Sequence, residues 1–143
     1  MKNDGLQQAV LAIDPGTEKF GYAILRKDGT VLQKGIEKTG QLLTKVLMIL
    51  TEFEVRTVIL GDRTGSKDFG QRLLTELQKR SVSLIKVNED NSSREGRFRY
   101  LLDHRHGWRR FVPLGLQTPP EAYDDYVAVI LGERYLRDSG QSG

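Results

Sequence analysis

The sequence predicts an α/β fold: one mixed five-stranded sheet flanked by helices, in a single domain. Two observations carry this. The first three apolar runs follow one another closely, and Lys27-Asp28-Gly29-Thr30 between the second and third carries the Asp-Gly signal of a hairpin turn. After them, helix-period and strand-like segments alternate, which calls for parallel strands joined by helical crossovers. The length of 143 residues suits one domain burying roughly two-thirds of its unfolded surface.

The elements follow in order. Val10-Leu11-Ala12-Ile13 is apolar at every position, the pattern of a strand covered on both faces, so a first strand is expected over about 8–14. A second covers about 19–26 and a third about 31–37. Leu42, Leu43, Val46, Leu47, Ile49 and Leu50 give a broad apolar helical face over about 40–53. A fourth strand over about 55–60 leads through a polar loop into a helix over about 67–80, and a fifth strand covers about 82–87. Ser92-Ser93-Arg94-Glu95 reads as a capping box opening a basic helix to about 105. Thr118-Pro119-Pro120-Glu121 is a second capping box, with proline at the first helical position, and that helix is expected to end near about 137. The domain is placed at 1–138, with a disordered Ser/Gly tail over 139–143.

Composition excludes several classes. There is no cysteine, so disulfides and thiolate metal sites are out. No run approaches the roughly 20 apolar residues of a membrane span, and no signal-like segment opens the chain. A cytoplasmic protein with no membrane partner is expected.

Charge is unevenly placed. Arg94 to Arg110 holds six arginines against Glu95 and Asp103, with His104, His106, Trp108 and Phe111 interleaved. Glu121 to Asp138 reverses the balance, with five acids against Arg134 and Arg137. A basic arm neutralises phosphates and stacks bases, while an acidic cluster holds cations; a metal-dependent nuclease needs both. A solvated helix face is the alternative for the arginine run. The histidines have no partner at metal-ligand spacing and read as basic-loop residues.

Two acids stand where a core wants no charge. Asp14 ends the first strand and is followed at once by Pro15-Gly16; Asp124-Asp125 opens the apolar last helix. A buried carboxylate costs several kcal/mol unless something compensates it, and a shared cation would do so for both. On a helix, Asp124 lies on the stripe of Val127, Ala128 and Leu131, whereas Asp125 does not and reads as a helix-start acid favoured by the dipole. Asp14 has a local alternative, an Asx turn to the Gly16 or Thr17 amide. Asp62 after the fourth strand and Glu89 after the fifth are rivals for a further ligand, each with a surface-turn alternative. Glu121 reads first as the capping partner of Thr118.

Ile13-Asp14-Pro15-Gly16-Thr17 with Gly21-Tyr22-Ala23, Val58-Ile59-Leu60-Gly61, Val87 to Ser93, and Asp124-Asp125-Tyr126-Val127-Ala128 through Leu136 together resemble the RNase H-like superfamily, in its RuvC and YqgF branch of Holliday-junction-resolvase-like nucleases. The resemblance spans roughly 8–136. It departs from the usual YqgF pattern at Asn88, where Asp is common, at Asp90, where Arg is common, and at Arg63, where Pro is common. The resemblance implies an RNase H-like fold and hydrolysis of phosphodiester bonds in structured nucleic acid by Mg²⁺ or Mn²⁺. Asp14 would bridge two ions, with Glu89 and Asp124 (or Asp62) on either side. It implies either maturation of precursor 16S ribosomal RNA or resolution of branched DNA, and a homodimer if the substrate is a symmetric junction. Lys19, Arg94, Arg97, Arg105, Trp108, Arg109 and Arg110 would contact the nucleic acid. Two other classes stay open: a binding module that keeps the fold without catalysis, and a fragment of an actin-like phosphotransferase, whose second domain 143 residues cannot hold.

Overall fold

The structure is a computed structural model, and it describes residues 6–62, 66–87, 95, 96, 99, 102 and 124–142. Five strands form one sheet: β1 (Gln8–Asp14), β2 (Lys19–Leu25), β3 (Val31–Lys38), β4 (Glu54–Gly61) and β5 (Ser83–Val87). Their spatial order is β3-β2-β1-β4-β5. The two hairpin pairs, β1 with β2 and β2 with β3, are antiparallel; β4 pairs in parallel with β1 and with β5. This is the mixed sheet that hairpin signals followed by helix–strand alternation predict.

Three bounded helices cover it. α1 (Leu42–Glu52) and α2 (Ser66–Lys79) lie on one face, α3 (Asp124–Ser142) on the other. Strand periodicity assigns the residues. Leu11, Ile13, Phe20, Tyr22, Ile24, Val58 and Leu60 pack with Leu42, Val46 and Ile49 of α1 and Phe69, Leu73 and Leu77 of α2. Val10, Ala12, Ala23, Leu25 and Ile59 pack with Val127, Ala128, Val129 and Leu131 of α3. Burial on both faces explains why β1 reads as a continuous apolar run. The α3-facing positions of β1 and β2 are small where the helix comes closest: a Cβ on Gly132 would press into Leu25 and Ala12.

The β2–β3 turn forms as the Asp-Gly signal predicts. Gly29 takes a φ of +94°, which costs glycine nothing. The Asp28 carboxylate accepts a bond from the Thr30 amide at 2.9 Å, and the Arg26 guanidinium donates to it at 3.1 Å. These bonds, the Thr30 amide first, lower the Asp28 pKa to about 2.

Two boundaries differ from expectation. Residues Thr39–Gln41 form a 3₁₀ turn and α1 starts at Leu42, because the Thr39 hydroxyl and amide turn back to the Gly16 and Glu18 carbonyls at 3.0 and 2.9 Å. α3 continues to Ser142, through the stretch that composition suggests as a disordered tail; no proline interrupts it there. The proposed capping boxes at 92–95 and 118–121 involve residues outside the described ones.

Glu95, Gly96, Arg99 and Leu102 are helical, and Glu95, Gly96 and Arg99 lie against α3. A Cβ on Gly96 would meet Val127. The Arg99 guanidinium donates two bonds to the Glu133 carboxylate, at 2.7 and 3.0 Å, and Arg134 reaches Glu95 at 2.9 Å. With the sheet on one side and this stretch on another, residues 126–132 of α3 are buried on all sides. No described helix is long and apolar enough to cross a membrane.

Candidate active site

Asp14 is the one charged or polar residue buried in the described core, at 3 % exposure, and its Oδ1 is closed to water. Its direction follows from register. Asp14 pairs with Gly21 as Ala12 pairs with Ala23 and Val10 with Leu25. Directly paired residues point to the same face, and these partners belong to the cluster under α3. The Asp14 carboxylate therefore faces α3, while Ile13 beside it faces α1 and α2.

α3 begins directly above that position. A Cβ on Gly21 would collide with the Asp124 carbonyl and the Asp125 amide. Asp14 and Gly21 are opposed residues of an antiparallel pair, with Cα atoms about 4.5–5.5 Å apart. Asp14 and the start of α3 are thus brought together through one glycine. The direction of α3 is also fixed, since Asp124 lies over Gly21 and Gly132 over Leu25. Eight helical residues rise about 12 Å and four strand residues span about 13 Å. α3 runs along β2, and Asp124 is its residue nearest the Asp14 end.

The two neighbouring acids have different surroundings. The Asp125 carboxylate takes an ion pair from Lys34 of β3 at 3.1 Å and a bond from the Tyr126 amide at 3.0 Å. The Lys34 ammonium also lies 4.1 Å from the centre of the Tyr126 ring. Asp125 and Tyr126 thus fasten the first turn of α3 to the sheet. Asp124 precedes that anchored pair, with its backbone carbonyl over Gly21, the register partner of Asp14, and by helical spacing it shares the stripe of Val127, Ala128 and Leu131. Sequence reading missed Lys34: ninety-one positions separate it from Asp125, and only the β2–β3 register brings them together.

Asp62 follows β4 and is exposed; its amide donates to the Val87 carbonyl at 3.1 Å, which joins the ends of β4 and β5. Because β4 is parallel to β1, with Ile13 beside Leu60, Asp62 stands at the same end of the sheet as Asp14. Lys19 is exposed at the start of β2. Glu89, Arg94, Arg97, Arg105, Trp108, Arg109 and Arg110 lie outside the described residues. Among the described residues, no three acids or histidines gather closely enough to hold a metal. Arg99, one of the six arginines of the basic run, is engaged with Glu133 and serves packing.

The donor set suits a hard cation. Asp14 and Asp124 offer oxygen only, the chemistry that Mg²⁺ or Mn²⁺ takes. A cavity of about 710 Å³ lined by Gln8, Lys27, Glu54, Arg56 and Tyr135 opens at the other end of the sheet. Six strand residues, about 20 Å, separate Gln8 from Asp14, so that cavity takes no part in this site.

No protein-family model and no curated protein match the sequence. Solved structures do resemble the chain. Thermus thermophilus RuvC aligns at a TM-score of 0.55 and 17 % identity, covering 87 % of this chain and 90 % of that one. T. thermophilus RuvC in complex with a Holliday junction substrate aligns at 0.57 and 16 %, covering 94 % and 97 %. With the strand order, the mixed pairing and the helices on both faces, these likenesses show that the chain has the RNase H-like fold in the form that RuvC carries.

Proposed function

We propose that this protein is a divalent-metal-dependent nuclease of the RuvC and YqgF kind, hydrolysing phosphodiester bonds in structured nucleic acid. One observation carries the reading: a buried carboxylate, Asp14, ends the central strand β1, beside Gly21, over which the first residue of α3, Asp124, lies. Buried carboxylates at strand ends gather at functional sites. The RuvC structure bound to a Holliday junction substrate supports branched DNA as a substrate class, and the sequence resemblance to YqgF proteins supports ribosomal RNA precursors.

Asp14 and Asp124 would hold Mg²⁺ or Mn²⁺, with Glu89 or Asp62 as the further ligand. Bound metal would supply an activated water and charge stabilisation of the leaving oxygen. The chain's own contributions are positional. Gly21 lets α3 approach closely enough for Asp124 to reach the end of β1. Lys34 fixes the first turn of α3 through Asp125 and Tyr126. The basic segment from Arg94 to Arg110 supplies phosphate contacts, and Trp108 a stacking surface. The protein works in the cytoplasm, where its nucleic-acid substrates are found, and as a homodimer if it resolves symmetric junctions.

The test is a panel of labelled substrates, RNA and DNA, linear and branched, incubated with Mg²⁺ or Mn²⁺. Cleavage of at least one that stops on chelation supports the reading. Binding without cleavage under every condition would leave a nucleic-acid-binding module on an RNase H-like fold.

A further inference from the structure

We propose that Lys19 and Lys38 form a clamp for the phosphate backbone of the substrate strand, beside the Asp14 site. The inference rests on the nucleic-acid reading above and adds the place where one strand is gripped.

Lys19 opens β2 and Lys38 closes β3, and the two are directly opposed in the antiparallel register. Opposed residues share a face, and Lys19 lies two positions from Gly21, so both lysines stand on the face that Asp14 uses. The offset from the Asp14–Gly21 pair is about 7 Å along the strand, close to the spacing of neighbouring phosphates on one strand. α3 begins over Gly21 and runs away toward Leu25, so no described element covers the sheet at Lys19 and Lys38, and both are exposed.

Like charges directly opposed across a strand pair destabilise the sheet. Among the described residues, neither ammonium meets an acid. Glu37 points to the other face with its partner Phe20 and pairs with Lys45 at 3.9 Å. Glu18 is exposed in the preceding turn, and its carbonyl receives the Thr39 amide. That bond, with the Thr39 hydroxyl to the Gly16 carbonyl at 3.0 Å, staples the turn after Asp14 to the end of β3. The two lysines are thus set on a braced frame, and an anion between them would remove their repulsion. Edge protection accounts for a lysine on β3, which borders the sheet; it does not account for Lys19 on β2, an inner strand.

The experiment measures affinity against salt concentration for a labelled single-stranded oligonucleotide, in RNA and DNA forms, without divalent metal so that nothing is cut. Wild type is compared with K19Q/K38Q, K19R/K38R and, as a control on the distant hairpin, K27Q; thermal melts confirm that each folds. The clamp predicts that K19Q/K38Q lowers the slope of log affinity against log salt by about 1.4, two contacts at about 0.7 each on a single strand. K19R/K38R should keep the wild-type slope, as should K27Q. An unchanged slope in folded K19Q/K38Q, or an equal loss in K27Q, would overturn the clamp while leaving the nuclease reading intact. If wild type binds neither form, the clamp falls, and the nuclease reading stands or falls on the panel of branched and linear substrates.

Discussion

Gly21 of β2 lies so close to the Asp124 carbonyl that a single added methyl group would collide with it. The contact matters because Gly21 is the register partner of Asp14. It is the joint through which the first strand and the last helix meet.

Gly21→Ala should therefore disturb the site more than the fold. The added carbon forces the start of α3 away, at a cost of about 1–3 kcal/mol typical of overpacking. Thermal melts should show a folded, less stable protein, and metal-dependent cleavage should fall at least about tenfold, which is about 1.4 kcal/mol in the barrier. Wild-type cleavage in a folded variant would show that the position of α3 is not tuned by this contact.

The two adjacent acids should behave differently. Asp124→Asn should remove nearly all cleavage while keeping stability close to wild type. Asp125→Asn should weaken the tie to Lys34, lower stability by about 0.5–1 kcal/mol and leave most activity. Equal loss in both, measured at saturating metal, would mean that both acids serve the site.

Lys34→Met should destabilise by about 1–2 kcal/mol, since it removes both the Asp125 ion pair and the contact with the Tyr126 ring. Raising the metal concentration should restore part of the lost activity, because the acids remain and only their placement loosens. Loss of activity that no metal concentration recovers would give Lys34 a direct part in the site.

The basic run should divide into two kinds of arginine. Arg99→Glu should lower stability through its bidentate bond to Glu133, and the swap R99E/E133R should recover about 0.5–1 kcal/mol of it. Reversing Arg105, Arg109 and Arg110 should instead weaken nucleic-acid binding and its salt slope, with melting unchanged. Trp108→Ala should weaken single-stranded or distorted substrates more than duplex.

Acid should loosen the β2–β3 hairpin through Asp28. Its carboxyl is held at about 2 in the folded protein against an ordinary 3.8, chiefly by the Thr30 amide. A depressed pKa contributes stability that is whole above the unfolded value and is lost as pH falls through the folded one. Between about pH 4 and pH 2, Asp28→Asn should show a smaller decline in melting temperature than wild type. Parallel declines would assign the acid sensitivity elsewhere.

The strands were legible because apolar runs buried on both faces leave a clear signal: β1 matches its expected bounds, and the ends of β2 and β3 differ by one residue. Asp14 stood out because it ends such a run, and Asp124 because helical spacing separates it from Asp125. What stayed hidden depends on register. The closeness of Gly21 to Asp124, the reach of Lys34 to Asp125, and the opposition of Lys19 to Lys38 all join residues far apart in the chain. Small residues at Ala12, Gly21, Ala23, Ala128 and Gly132 were the available hint of a closely approaching helix. The bond from Arg99 to Glu133 is likewise invisible in the sequence, because the two lie thirty-four positions apart. The helical pattern expects α1 from about 40, whereas it starts at Leu42 after a 3₁₀ turn, because Thr39 bonds backward to the turn after Asp14.

The most direct test compares wild type with Asp14→Asn on the substrate that wild type cuts, at saturating Mg²⁺ or Mn²⁺ and saturating nucleic acid. The variant should fold, bind the substrate with near wild-type affinity, and cleave at least about 10³-fold more slowly, a loss of about 4 kcal/mol in transition-state stabilisation. A purified, folded Asp14→Asn protein that cleaves at the wild-type rate would contradict the placement of the chemistry at the end of β1.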